Sequence, residues 1–174
     1  MVTYQDVSSS EEIKSYIRQA DASLVALGYT EHSFAHVVRV ATVTQNILTE
    51  LGYDPRTVEL ARIAGFMHDI GNVVNRIDHA QSGAVMAFRI LDKMGMEPNE
   101  VAQVIAAIGN HDEHTAYPVN ALAAALILAD KSDVRRSRVR NRDVPSFDIH
   151  DRVNYSVEQS SLKTDVESLS LIHI

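Results

Sequence analysis

Apolar residues recur at three- and four-residue steps to about position 134, the repeat of helices that bury one face. Ile13, Ile17, Leu24 and Leu27 mark a first helix, with a Ser-x-x-Glu capping signal in residues 8–12 and Gly28 as its stop. Phe34, Val37, Val38, Ala41 and Leu48 mark a second, with Thr30 as the expected cap and Gly52 as the end. Asp54-Pro55 opens a third, because a capping carboxylate followed by proline suits a helix start. Val58, Leu60, Ala61, Ile63, Ala64, Phe66 and Met67 make this helix apolar on most sides, which predicts a central position. It is expected to end at His68-Asp69, with Gly71 breaking it. After a polar loop at 72–78, Asp78 is expected to cap a fourth helix over 79–94, which Gly95 closes. Pro98 opens a fifth, with Val101, Val104, Ile105 and Ile108 on its stripe, and residues 121 to about 134 form a sixth, rich in alanine and leucine.

Beyond residue 134 the pattern changes. Arg135, Arg136, Arg138, Arg140 and Arg142 crowd into one short stretch. From Val153 the apolar spacing turns strand-like: Val153, Tyr155 and Val157 alternate with polar residues, as do Leu169 and Leu171 further on. A hairpin turning near Thr164-Asp165 is expected. The predicted fold is therefore all-α, a bundle of about six helices with a short C-terminal β-hairpin extension. The helical domain is placed at 1–145, with its core at 30–135, and the strand-like extension at 146–174. The chain stops on Leu171-Ile172-His173-Ile174, and an apolar edge of that kind is expected to pair, for example in a homodimer.

Composition narrows the function classes. The chain has 174 residues, 45% hydrophobic and 22% charged, enough for one domain with a sizeable core. A net charge of -7 argues against nucleic acid or an anionic membrane as partner. The absence of cysteine excludes disulfides, thiolate zinc sites and cysteine nucleophiles. Residues 1–12 are polar and acidic, unlike a secretory signal, and the longest apolar run, 121–129, is too short to span a bilayer. A cytoplasmic protein is expected.

Histidine and aspartate carry the candidate chemistry. His36, His68, Asp69, His79, His111 and Asp130 stand at helix ends or beside apolar stripes. Structural metals in small domains use sulfur ligands close together in sequence, whereas these residues are spread over several helices and can meet only after the helices pack. Nitrogen and oxygen donors with room for water are the arrangement of a catalytic site. His79 at a helix start disfavours a charged imidazole, and Asp69 near a helix end is poorly placed without a cation beside it. Both costs vanish around a metal ion.

The surroundings of these residues resemble a known family. His36-Val37-Val38-Arg39-Val40-Ala41, then Ala64-Gly65-Phe66-Met67-His68-Asp69-Ile70-Gly71, then Leu128-Ala129-Asp130-Lys131 are similar, in order and context, to the signature of the HD superfamily of metal-dependent phosphohydrolases. The resemblance covers roughly residues 30–135. It implies an HD-domain helical bundle in which His36, His68, Asp69 and Asp130 hold a divalent metal. His79, in Asp78-His79-Ala80-Gln81-Ser82-Gly83-Ala84, and His111, in Asn110-His111-Asp112-Glu113, look like the added ligands of a binuclear branch, in which Asp69 bridges two ions and is the catalytic residue. One or two ions are thus implied, with Mn, Fe, Mg, Zn, Ni or Co all compatible. The implied reaction is hydrolysis of a phosphoester or phosphoanhydride, with a phosphorylated small molecule, a nucleotide, as substrate. One departure stands out: Asn72 occupies the place where the motif commonly has lysine. There is also no Gly-Tyr-Pro element, which argues against cyclic di-GMP. Phosphate contacts are expected instead from Lys131, Arg135 and Arg136, with His32 nearby. Glu31 and Glu113 are candidate proton carriers, and His114 is expected on the surface. Two rival readings remain: a non-catalytic module that senses a nucleotide or metal, and an oxidative di-iron enzyme on the same scaffold, which the arginines disfavour.

Overall fold

Local signals set most helix boundaries in the computed structural model, which describes residues 1–113, 115–165 and 170–173. The readings of His114 as exposed, of Leu169 in the strand alternation and of an apolar terminal residue lie outside the described residues. The first helix, α1 (Tyr4–Ser9), was not expected, because six residues are too few to show a stripe. Thr3 and Asp6 form a reciprocal capping box there. Helix α2 (Glu11–Leu27) starts at the Ser10 cap and ends at Gly28 in the left-handed conformation, φ 81°. Helix α3 (Phe34–Glu50) is capped by Ser33 and not by Thr30, since the Ser33 hydroxyl accepts the Ala35 amide. His32 therefore precedes the helix and does not lie on it.

Asp54 caps α4 (Pro55–Met67) through the amides of Arg56 and Thr57. A short 3₁₀ turn, Ile70–Val73, follows. Helix α5 (His79–Lys93) begins after Asp78, which has φ 57° and makes no side-chain cap, contrary to expectation. Helices α6 (Pro98–Gly109) and α7 (Ala121–Ser132) fall where the sequence pattern placed them. The arginine-rich stretch contains a 3₁₀ turn, Arg136–Arg138, and a second, Val144–Ser146, follows it.

One element differs from the sequence expectation in kind. The alternation at Val153, Tyr155 and Val157 predicted a strand, but α8 (Ile149–Ser156) occupies most of it. Asp148 caps this helix through the Asp151 amide. Asp151 and Asn154, three apart, are the residues it buries, and the Asn154 side chain accepts the Arg135 amide at 2.9 Å. Polar anchors at helical spacing outweigh an apolar alternation of three residues. The hairpin pairs β1 (Leu162–Asp165) with β2 (Ser170–His173), Leu162 opposite His173 and Asp165 opposite Ser170. Thr164 and Asp165 thus belong to a strand and not to the turn.

Helix α4 is the centre of the bundle, packed against α1, α3, α6 and α7. It buries residues on all sides, from Val58 to Met67, as its sequence predicted. Two glycines let backbones approach where the candidate ligands are. At Gly65 a Cβ would stand 2.8 Å from Ala41 Cα, so α3 and α4 cross in near contact. At Gly71 a Cβ would fall on the His79 carbonyl oxygen, so the chain just after Asp69 is seated against the start of α5. No described helix is long and apolar enough to cross a membrane.

The close crossing makes a direct prediction. Gly65→Ala forces α3 and α4 apart and is expected to cost about 1–3 kcal/mol, as overpacking does. Thermal unfolding should show the melting temperature falling by roughly 2–12 °C. An unchanged value would mean that the helices do not touch at this point.

Candidate metal centre

Six donor residues converge where α3, α4, α5, α6 and α7 meet. His36 comes from the first turn of α3, and His68 caps the end of α4 with Asp69 directly after it. His79 is the first residue of α5, His111 lies just past α6, and Asp130 is in the last turn of α7. Gly65 and Gly71 make this convergence possible by letting the segments close in.

The distances are those of a coordination shell. His36 Nε2 lies 3.3 Å from His68 Nε2 and 3.3 Å from Asp130 Oδ1. Asp69 Oδ2 is 3.2 Å from His68 Nε2 and 3.5 Å from His36 Nε2, and His68 Nε2 is 3.7 Å from Asp130 Oδ1. Donors about 2.1 Å from a common ion stand roughly 3.0–3.4 Å from one another in tetrahedral or octahedral geometry. The second carboxylate oxygen of Asp69 faces the other way: Oδ1 is 3.5 Å from His79 Nε2, which in turn is 3.3 Å from His111 Nε2. His68, Asp69 and His111 also bring donor atoms within 4.8 Å of one another. Asp69 therefore presents one oxygen to each of two adjoining sets of nitrogens.

The hydrogen bonds explain why this cluster calls for a cation. His68 Nδ1 donates to Gly65 O at 2.8 Å, His79 Nδ1 to Arg76 O at 3.0 Å and His111 Nδ1 to Ile108 O at 2.6 Å. His36 Nδ1 donates to Asp133 Oδ2 at 2.8 Å. With Nδ1 carrying the only proton, as metal binding requires, a ring turns its Nε2 lone pair toward its neighbours. Asp69 Oδ2 is buried among them with no hydrogen-bond donor. Facing lone pairs and an orphaned carboxylate oxygen are costly in a buried site unless a positive charge sits between them. A divalent ion fits that donor set of imidazole and carboxylate.

The charges around the cluster follow the same logic. Burial opposes ionisation of Asp69, but His68, His32 and His36 outweigh it and hold the carboxyl well below the ordinary range. Asp130 behaves alike, with the His36 hydrogen bond and Lys131 overcoming burial. Burial, reinforced by His68, pushes His111 down to about 4, and burial also lowers His79. Burial and Arg138 pull His36 down, yet the carboxylates of Asp130, Asp133 and Asp69 around it prevail and raise it to about 10. Without a metal, a proton on His36 is the cation that the carboxylates attract.

Asp133, which the sequence reading did not single out, stands directly behind the His36 ring. Its side chain is 1% exposed and its Oδ1 accepts from Arg39 at 3.1 Å and Arg135 at 2.7 Å while Oδ2 takes the His36 ring. Arg138 donates to the Asp133 carbonyl at 2.6 Å. Asn72 has a role too: its amide donates to Asp69 Oδ1 at 2.9 Å and to the Asp69 carbonyl at 3.0 Å. It is buried and orients the carboxylate, so it is not a phosphate contact. Its sole sequence signal was the departure from lysine.

Asp69, His79, His111 and Asp130 line a cleft of about 830 Å³. Lys131 and His32 line it, as expected. His32 is half-buried, donates from Nδ1 to Thr30 O, and is held below the ordinary imidazole range chiefly by burial. Arg135 and Arg136, expected at the phosphate, do not line the cleft. Arg135 binds Asp133 and Glu31, and Arg136 lies 5.0 Å over the Tyr155 ring with its Nε on the Tyr155 carbonyl. Arg76, missed in the sequence, reaches the cleft, with Nη1 3.3 Å from His79 Nε2. Glu113 lines the cleft 3.6 Å from Lys131, whereas Glu31 is tied to Arg135 and the Ser33 hydroxyl.

A pH dependence follows from His36. In protein stripped of metal, its raised value contributes stability that is complete below about pH 6.5 and lost as pH rises toward 10. Metal needs the same nitrogen deprotonated, so affinity should rise with pH across that window. Calorimetric titration with Mn at about pH 8, in two buffers of different ionisation enthalpy, is expected to show release of about one proton per chain. No proton release would contradict a charged His36.

Comparison with known proteins agrees with the geometry. Residues 33–144 match the model of the HD domain family. The chain is 33% identical over 120 residues to ribonuclease Y of Deinococcus radiodurans, a match covering 65% of this chain and 19% of that protein. It thus spans about a fifth of the length of the ribonuclease Y proteins it matches. An uncharacterised protein of Methanocaldococcus jannaschii is 25% identical over 186 residues, covering 92% of this chain and 70% of the other. The crystal structure of a predicted HD superfamily hydrolase from an uncultured Thermotogales bacterium superposes with a TM-score of 0.56 at 29% identity, covering 71% of this chain and 67% of that one. The matched span holds every donor of the cluster, and the chain belongs to the HD superfamily of metal-dependent phosphohydrolases.

Proposed function

We propose that the protein hydrolyses a phosphoester or phosphoanhydride bond of a nucleotide at a centre of two divalent ions. The observation that carries this reading is Asp69, whose two oxygens face two sets of imidazole nitrogens while Oδ2 has no donor of its own. His36, His68, Asp69 and Asp130 would hold one ion, and Asp69, His79 and His111 the other. Bound there, divalent ions supply Lewis acidity for a phosphoryl oxygen and lower the pKa of water toward neutrality.

The chain's own residues supply the rest. Asn72 fixes the plane of Asp69, and Asp133 fixes the His36 ring. Lys131 remains charged, because Asp130, Glu113 and Asp112 outweigh the effect of burial. Its amine lies 3.1 Å from Asp130 Oδ2, at the edge of the donor cluster, where it can meet a phosphate oxygen. Arg76 takes the corresponding position beside His79. These two cations replace the lysine that Asn72 displaces. The relatives called ribonuclease Y support a phosphoester as the scissile bond, and the cleft has room for a nucleotide.

Metal analysis of the purified protein is expected to give about two ions per chain, falling to about one in His111→Ala. Hydrolysis of a nucleoside monophosphate with Mn should vanish with chelator and fall by roughly a thousandfold or more in Asp69→Ala. Full activity in Asp69→Ala would sink the proposal.

A further inference from the structure

The cleft is also lined by apolar side chains that the metal chemistry does not use. Tyr29, Ile77, Ile149 and Val153 line it, and they are 36%, 74%, 67% and 46% exposed. They come from the lead-in to α3, the loop before α5, and α8. Four exposed apolar side chains from three segments, on the wall of one charged cleft, suit a site for an apolar body. Gln81, Thr30 and His150 also line the cleft and offer hydrogen-bonding groups. A lipid tail would leave those polar groups unmatched, whereas a heterocyclic base uses both kinds of surface.

The charges limit the size of the substrate. Among the described residues, the cationic side chains lining the cleft are Arg76, Lys131 and Arg138. Arg138 is 7% exposed and is anchored by its Nε and Nη1 to the carbonyls of Glu31 and Asp133. That leaves two cations, both beside the metal ligands. The remaining wall carries Asp78, Asp112, Glu113 and Asp148. A nucleic-acid chain needs basic side chains along its successive phosphates, and this cleft provides none beyond the centre.

We infer that Tyr29, Ile77, Ile149 and Val153 form a base-binding subsite for a single nucleoside phosphate, and that the substrate is a molecule of this size and not an RNA chain. This rests on the phosphohydrolase reading for the phosphate end alone. The subsite is in part an addition to the family domain, because α8 lies beyond the matched residues 33–144. It also gives the arginine run a purpose: the Arg135 amide on Asn154, and Arg136 on the Tyr155 carbonyl and ring, hold α8 against the body of the protein.

The test separates binding from turnover. Mn-loaded protein is titrated with non-hydrolysable methylenephosphonate analogues of the four nucleoside 5′-monophosphates, and with methylphosphonate, which has the same head and no body. At least one analogue is expected to bind roughly tenfold tighter than methylphosphonate, a modest gain for apolar contacts of this extent. In the double variant Ile149→Ser/Val153→Ser, and in Tyr29→Ala, that ratio should collapse toward one, while Ile149→Leu/Val153→Ile retains it. Equal binding of all five compounds by the wild type, or a ratio that survives both polar changes, would overturn the subsite. So would a single-stranded RNA oligonucleotide that binds tighter than every mononucleotide analogue. If the ratio behaves as expected but no nucleotide is hydrolysed, the catalytic reading fails and the subsite stands.

Discussion

Everything near the centre of this protein depends on holding imidazole lone pairs face to face. Nε2 atoms 3.3 Å apart, with a donorless carboxylate oxygen beside them, repel in the absence of a cation. The bundle must therefore supply enough constraint to keep the rings in place. It does so with one device used three times: His68, His79 and His111 each donate Nδ1 to the carbonyl three residues earlier. Those carbonyls lie at the end of α4, before α5 and at the end of α6, where the helical ladder leaves oxygens free. Orientation of these rings is thus almost free of tertiary cost, and only their meeting needs the fold.

His36 is the exception, and its solution organises the C-terminal part of the molecule. It sits inside the first turn of α3, where the nearby carbonyl of Ser33 already accepts the Val37 amide. A carboxylate from 97 residues away, Asp133, takes the Nδ1 proton instead. A buried carboxylate needs neutralising in turn, and Arg39 and Arg135 close on its oxygens while Arg138 binds its backbone. The arginine run is therefore chiefly a support for the ring that completes the first donor set. The residues that extend from it, through Asn154 and Tyr155, place α8 on the rim of the cleft.

Much of this was legible in the sequence. The helix repeat, the Asp54 cap and the glycine stops placed most of the bundle, because those signals act over a few residues, although the cap of α2 is Ser10, one or two residues past the serines of the Ser-x-x-Glu signal. Helix α4 was recognisable as central from its apolar faces alone. The sequence could not reveal α1, too short to show a period, nor α8, whose inward face is Asp151 and Asn154 and whose apolar residues point outward. It misjudged Arg135 and Arg136, since a run of arginines looks the same whether it waits for phosphate or answers a buried aspartate. Arg76 went unnoticed because a lone arginine in a loop carries no periodic signal.

The sequence by itself determined the family, the helical class and which histidines and aspartates were candidates for one cluster, because residue type and spacing settle what a side chain can ligate and where a helix can begin. Only the tertiary structure decided that Asp69 turns one oxygen to each group of histidines, that Asp133 stands behind His36, and that α8 gives the cleft an apolar wall. Those facts depend on side chains far apart in the chain meeting at distances near 3 Å, and no local pattern encodes such a meeting. It arises when the helices pack closely enough, at Gly65 and Gly71, to bring them there.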